Sequence, residues 1–360
     1  MRVLLTLLLP AWLLAIPLEI LIEHAKNNHT SLKSLEQRVS AIDNEYEISR
    51  NFQDPLVSLT ASDIQLNNIT NRSIEPMQYT AINVSQKIPY FGKRDAFGNK
   101  ILAKKEKVRL SIDAMKVKLT QEIKMAAYSI WEREEELKIT KQYISLTQQN
   151  IELYSAFSSS DSKSHMSIMS AEMSLSELKI KKSRLHSSLK GLYKKISYLC
   201  AMDVTSVEVN MKISRPQPLE IYQENLTNNI SYKIKEASVH IATSDTKIKE
   251  LNAYVDPIIK VGYFQRNSYQ DYINLGVSFK IPLYGTQDLH TQKSRKLALA
   301  SENEKVDFNN LLVAEIVKVH AQLEDSYKVH KIIMYESMPQ IQHMFELSSS
   351  SIKSGDELFL

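Results

Sequence analysis

The 360-residue chain carries 45 Lys and Arg against 41 Asp and Glu, a formal net charge of +4, with the lysines spread along polar stretches rather than clustered among aromatics, which excludes the basic patch of a nucleic-acid binder. One cysteine, Cys200, excludes an internal disulfide framework and any paired-cysteine metal site. Seven glycines and ten prolines leave few turns, and few turns mean long elements.

Residues 1–15 open with Arg2 and an apolar run from Val3 to Leu14, then Ala15 at a plausible cleavage site. The run is too short to span a bilayer and reads as a secretory signal. A polar helix is expected from about Leu18 to Phe52, stopped by Pro55, because proline pushes the residue before it into extended backbone. Leu56–Ser62 then alternates, with Val57, Leu59 and Ala61 on one face. An asparagine-rich loop leads to a second strand, Tyr79 to Ile88, with Ile82 and Val84 opposite Asn83 and Ser85. Pro89-Tyr90-Phe91-Gly92 breaks that strand. A very long helix, about Arg94 to Phe157, follows, and it would reach roughly 95 Å at the standard rise. Ile123, Ile130, Leu137, Ile144 and Ile151 recur every seven residues along it, the seam of a left-handed coiled coil. A serine-rich turn, Ser158–Ser164, precedes a return helix of about Met166 to Leu199, and Cys200 at its end reads as an inert buried thiol.

The same order then restarts about 200 residues on, a long-period duplication. Pro17-Leu18-Glu19-Ile20 recurs as Pro218-Leu219-Glu220-Ile221, Asn27-Asn28 as Asn228-Asn229, Asp54-Pro55 as Asp256-Pro257, and Lys87-Ile88-Pro89 as Lys280-Ile281-Pro282. This sets residues 1–15 apart as a signal peptide, 16–217 as a first structural repeat and 218–360 as a second. In the second repeat Ile259, Val261 and Tyr263 alternate with Ile258, Lys260, Gly262 and Phe264. Beyond a turn at Arg266-Asn267-Ser268, Ile273, Leu275, Val277, Phe279 and Ile281 alternate with Tyr272, Asn274, Gly276, Ser278 and Lys280. One face is apolar and the other mostly polar, which suits a strand with lipid on one side and a wet lumen on the other; a half-buried soluble sheet gives the same alternation. The second long helix is expected from about Gln287 to Leu347, and its seam positions are the less pure set Val313, His320, Tyr327, Met334 and Ile341.

Four strands in lipid leave two open edges, whose unpaired backbone groups are very costly in hydrocarbon. Closure takes about eight strands or more, so several chains must each supply a sector of one barrel, with cyclic symmetry. Pro55, Pro89, Pro257 and Pro282 stand at the four helix–strand junctions, where neither hydrogen-bond ladder continues.

At these residues the chain resembles the outer-membrane efflux protein family, the TolC-like channel-tunnels. The carriers are the duplicated helix openings, the Asp-Pro junctions, the strand-to-helix segments Ser85–Pro89 and Ser278–Gly285, and Ile352-Lys353-Ser354-Gly355-Asp356 preceded by Pro339, which is similar to the segment entering the periplasmic tip. The resemblance implies a mainly α fold with a membrane β part: a long helical barrel of coiled coils, and four strands per chain in a shared 12-stranded trimeric β-barrel. It implies no enzyme and no cofactor, but an exit duct of a tripartite efflux or type I secretion system, set in the outer membrane of a Gram-negative bacterium and extending into the periplasm. Its partners would be two further copies of itself, outer-membrane lipid, a periplasmic adaptor and an inner-membrane pump, with no nucleic acid. Asp161, Lys163, Lys353, Gly355, Asp356 and Glu357 would form the periplasmic aperture or touch the adaptor. One departure is expected: the second repeat stops just past its tip, without the return helix of the first, and His165 stands where the second repeat has Gly355.

No phosphate loop or dinucleotide fingerprint is present, the nine histidines are dispersed, and the twelve methionines read as seam packing. The competing class is a secreted or cytosolic coiled-coil scaffold with a small soluble sheet. Two hairpins with apolar faces, flanked by prolines at equivalent places, favour the duct.

Overall fold

A computed structural model of the chain describes residues 16–157 and 162–354. The expected signal segment lies outside the described residues. The element order is β1 (Ile16–Pro17), α1 (Leu18–Asn28), α2 (Thr30–Arg50), β2 (Leu56–Ser62), β3 (Tyr79–Lys87), α3 (Lys93–Phe157), α4 (Ser162–Cys200), β4 (Val207–Glu208), α5 (Leu219–Glu224), a 3-10 turn (Leu226–Asn228), α6 (Ile230–Leu251), β5 (Ile258–Gln265), β6 (Tyr272–Ser278), α7 (Thr286–Ile332) and, after a π-helical turn, α8 (Met338–Ser354). Two compact units result, and they cut across the sequence repeats: residues 1–36 with 112–213, and residues 37–111 with 214–360.

The first unit holds the packed core. The α1 residues Leu18, Leu21, Ile22 and Ala25 follow helical spacing and bury one stripe. On α3, Leu119, Ile123, Ala126, Ala127, Ile130 and Leu137 bury a second stripe, and on α4 the run Leu185, Leu189, Ile196 and Leu199, with the partly buried Leu192 between, forms a third at alternating gaps of four and three that mark a coiled-coil face. These side chains form one apolar cluster. Polar links flank it: Lys181 Nζ lies 3.0 Å from Glu136 Oε1, and the Tyr193 hydroxyl donates to Glu134 Oε1 at 2.6 Å. Burial pushes the Cys200 thiol up to about 11, so thiolate is scarce at neutral pH. Alkylation of the native protein by a thiol reagent at pH 7.5 is therefore expected to be negligible, rising to stoichiometric on denaturation; rapid native labelling would contradict this core.

Helix bounds depart from expectation in three places. The first is a break: residues 18–50 form two helices, because His29 takes extended backbone (φ −64°, ψ 128°). Its Nδ1 accepts the amide hydrogen of Ser31 at 3.3 Å, and its ring packs edge-on to Tyr198. The second repeat breaks at Asn229 with the same backbone (φ −62°, ψ 128°), and there the Asn229 carboxamide oxygen accepts the amides of Ser231 and Tyr232 as an N-cap. Second, the return helix starts at Ser162 rather than Met166. Third, the second long helix loosens into a π-helical turn at Ile333–Ser337 before Pro339, whose ring cannot continue the regular ladder.

In the second unit α6 packs along α7. Arg295 pairs with Glu250 at 2.7 Å, Lys235 with Glu304 at 3.5 Å, and the hydroxyls of Thr246 and Ser294 meet at 3.1 Å. Gly98 of α3 lets the Tyr46 ring of α2 approach; an added Cβ would lie 3.2 Å from it. The short α5 lies against α7, where Tyr222 and His320 make a tilted ring contact and His320 Nε2 meets the Gln217 carbonyl at 2.8 Å. Beside it Leu312, Ile316, Val319 and Leu323 line an apolar groove of about 200 Å³.

Candidate channel wall and junction

The four strands β2, β3, β5 and β6 form one antiparallel sheet in the order β2-β3-β5-β6. Each hairpin pairs within its own repeat, and β3 pairs with β5 across the repeats. The register places whole rows of side chains on one face. Val57, Val84, Val261 and Leu275 form one row; Leu59, Ile82, Tyr263 and Ile273 form the next. Side-chain alternation makes the opposite face polar, with rows Ser58, Asn83, Gly262, Asn274 and Leu56, Ser85, Lys260, Gly276. The apolar rows are exposed, Leu275 at 79% and Leu59 at 76%, so nothing among the described residues covers them.

At the far end of the polar face Phe264 stacks on Tyr272 and meets Tyr79 edge-on, and the buried Gly262 lies beside them. A Cβ on Gly262 would come within 2.3 Å of Asn83 Oδ1 and 2.7 Å of Phe264 Cε2, so only glycine fits under these side chains. The loop between β2 and β3 is tied by Arg72, whose Nη2 donates to the carbonyls of Ser62 and Tyr79 at 2.6 and 2.8 Å.

The outer edges belong to β2 and β6, and β6 is shorter than its alternation suggested. It ends at Ser278, not Ile281, because the residue that would face Phe279 is Pro257, which has no amide hydrogen. Likewise β3 stops at Lys87, and the Ile88 amide donates to the Pro257 carbonyl at 2.9 Å. Pro55 and Pro257 immediately precede β2 and β5, while Pro89 and Pro282 lie between a strand end and a long helix. Each of these latter two prolines is followed three residues on by a glycine in the left-handed region, Gly92 at φ 83° and Gly285 at φ 65°. There the chain turns from strand into helix, a conformation that costs a Cβ-bearing residue.

A polar clamp at this junction escaped the sequence reading. Asp256 Oδ1 accepts from Lys93 Nζ at 2.6 Å and from the Tyr90 amide at 2.8 Å, and its Oδ2 lies 3.2 Å from Lys87 Nζ. Lys93 also donates to the Tyr254 carbonyl at 2.8 Å, and the Tyr90 and Tyr254 rings stack 4.5 Å apart. The Asp-Pro recurrence was the available signal, but the position matching Lys93 in the second repeat is Thr286, so the clamp is not duplicated. Burial works against the Asp256 carboxylate, yet hydrogen bonds from Lys93, the Tyr90 amide and Lys87 outweigh it and hold the group below the ordinary carboxylate range. A carboxyl lowered in the folded state contributes stability above its unfolded value, near 3.9, and loses it as pH falls through the folded value. Asp256→Asn is therefore expected to lower the melting temperature at pH 7 and to converge with the parent at acid pH below that range. A constant gap across pH would mean the charge is not what matters.

Of the expected aperture residues, Lys163 lies in the first turn of α4 and Lys353 in the last turn of α8. Asp161, Gly355, Asp356 and Glu357 lie outside the described residues. Among the described residues no helix is long and apolar enough to cross a membrane. The sheet with its bare apolar face and two free edges is the feature that needs explaining.

Solved structures supply the comparison. VceC of Vibrio cholerae, an outer membrane protein, superposes with a TM-score of 0.75 at 13% identity, covering 95% of this chain and 87% of that one. The MtrE outer membrane channel of Neisseria gonorrhoeae, in its open state, gives 0.71 at 14% identity, covering 94% and 80%. The CmeC outer membrane channel of Campylobacter jejuni gives 0.73 at 12% identity, covering 95% and 78%. The chain has the outer-membrane channel fold. No family model matches the sequence, and no curated protein matches it either. The channel fold accounts for the long helices and the four-stranded sheet together.

Proposed function

We propose that this chain is the outer-membrane exit duct of a tripartite efflux or type I secretion system, a passive conduit from periplasm to exterior rather than an enzyme. The observation that carries this reading is the sheet: rows of exposed valine, leucine and isoleucine on one face, a polar opposite face, and an unpaired strand at each edge. In water such a face and such edges invite aggregation. In a bilayer both become assets, provided that β6 of one copy pairs with β2 of the next. Four antiparallel strands per chain keep the alternation unbroken around the ring, and three copies give a barrel of 12, wide enough for an open lumen. The fold resemblance supports a homotrimer, the two repeats 16–217 and 218–360 as its building blocks, and partnership with a periplasmic adaptor and an inner-membrane pump. The tips with Asp161, Lys163, Lys353, Gly355, Asp356 and Glu357 would then lie at the periplasmic aperture.

The test is single-cysteine labelling in outer membranes, on a Cys200→Ala background. Cysteines at Ile273, Leu275 and Val277 are expected to resist a membrane-impermeant thiol reagent, and those at Asn274, Gly276 and Ser278 to react from the lumen. Equal reaction on both faces would defeat the duct and restore the scaffold.

A further inference from the structure

On the channel reading, the polar face of the sheet is the lumen wall, and its charges are all of one sign. None of the four strands contains Asp or Glu; their charged residues are Lys87 and Lys260, and register puts both on the polar face. Lys280 lies two residues beyond the end of β6 at Ser278. Lys87, Lys93 and Lys280 line a single cavity of about 420 Å³ at the foot of the sheet, together with Asp256, Pro282 and Gln287. The carboxylates nearby are few and mostly committed. Asp256 is held by two lysines, Lys87 and Lys93. Asp95 and Asp288 occupy the first turns of α3 and α7, where the helix dipole favours them, which leaves Asp54 before Pro55. Lys260 and Lys280 form no ion pair among the described residues. Arg50 and Arg94 add positive charge beside this junction, Arg94 donating to the Arg50 carbonyl at 2.8 Å.

We propose that Lys87, Lys260 and Lys280 form a cationic belt at the strand–helix junction of the lumen, and that this belt makes the pore select for small anions and anionic solutes. Repeated around the pore by symmetry, the belt places several ammonium groups in a wall of low dielectric, which focuses their field into the lumen. Rings of lysine are the device by which pores favour anions, and side chains on the lumen face of a barrel tune selectivity without touching its lipid face. Lys93 supports the belt from outside it: it shares Asp256 with Lys87, so two ammonium groups meet one carboxylate and that cluster keeps a net positive charge beside the unpaired Lys260 and Lys280.

The experiment is reversal potential in planar bilayers, with the purified full chain under a potassium chloride gradient. The expected result is a chloride-to-potassium permeability ratio above unity that declines toward unity as salt is raised and the belt is screened. The neutral pair Lys260→Gln and Lys280→Gln is expected to reduce the ratio, and the pair Lys260→Glu and Lys280→Glu to invert it. The neutral pair keeps the test decisive if the acidic pair fails to assemble. A cation-selective parent pore, or a ratio unmoved by the neutral pair, overturns the belt while leaving the channel intact. No conductance from any variant removes the channel reading and the belt with it.

Discussion

Leu275→Arg is expected to abolish stable insertion of this protein into the outer membrane. Leu275 is the most exposed member of the row Val57, Val84, Val261 and Leu275, at 79%. If that row faces lipid near the bilayer midplane, the guanidinium costs about 2–4 kcal/mol per chain, and a symmetric assembly meets that cost in every copy. If the sheet is instead a soluble surface, the same change replaces an exposed apolar side chain with a charged one, stays within about 0.5 kcal/mol and improves solubility. The two readings therefore predict opposite outcomes from one substitution. Asn274→Arg on the polar face is the control and is expected to insert normally. The measurement is the yield of folded, protease-resistant protein in outer-membrane fractions. Equal yields for the two variants would sink the lipid-facing assignment.

The second large effect belongs to the helical core. Ile123 and Ile130 of α3 are 0% and 1% exposed and lie within the cluster shared with α1 and α4. Truncating either to alanine removes buried methyl and methylene groups and leaves a cavity, for a cost of about 2–5 kcal/mol. On α7 the apolar residues are wetter, Val319 at 50% among them, so Val319→Ala is expected to cost less than about 1 kcal/mol. Helical circular dichroism followed through guanidinium denaturation in detergent reads both. A Val319→Ala cost as large as that of Ile123→Ala would show that the α7 groove is covered in the assembled protein.

Much of this architecture was legible in local pattern. Period-two alternation marked β5 and β6, because successive side chains of a strand point to opposite faces and here one face is apolar and the other mostly polar. The seven-residue step from Ile123 to Leu137 marked the buried stripe of α3, since a coiled-coil seam is written at that period. Proline at each junction marked where ladders end, because it has no donor to continue them. The break at His29 carried no such sign. Neither glycine nor proline stands there; the imidazole that accepts from the Ser31 amide also packs edge-on to Tyr198, far along the chain.

What the sequence determined by itself was the set of elements, their duplicated order and the two-faced character of the strands, all of which follow from short-range spacing. What only the tertiary structure decided was partnership. The pairing of β3 with β5 turns two hairpins into one sheet with a continuous apolar face. Opposition to Pro257 sets the end of β6 at Ser278. Asp256 meets Lys93 across 163 residues of chain. Such contacts depend on which distant groups folding brings within a few ångströms, and no local period records that distance.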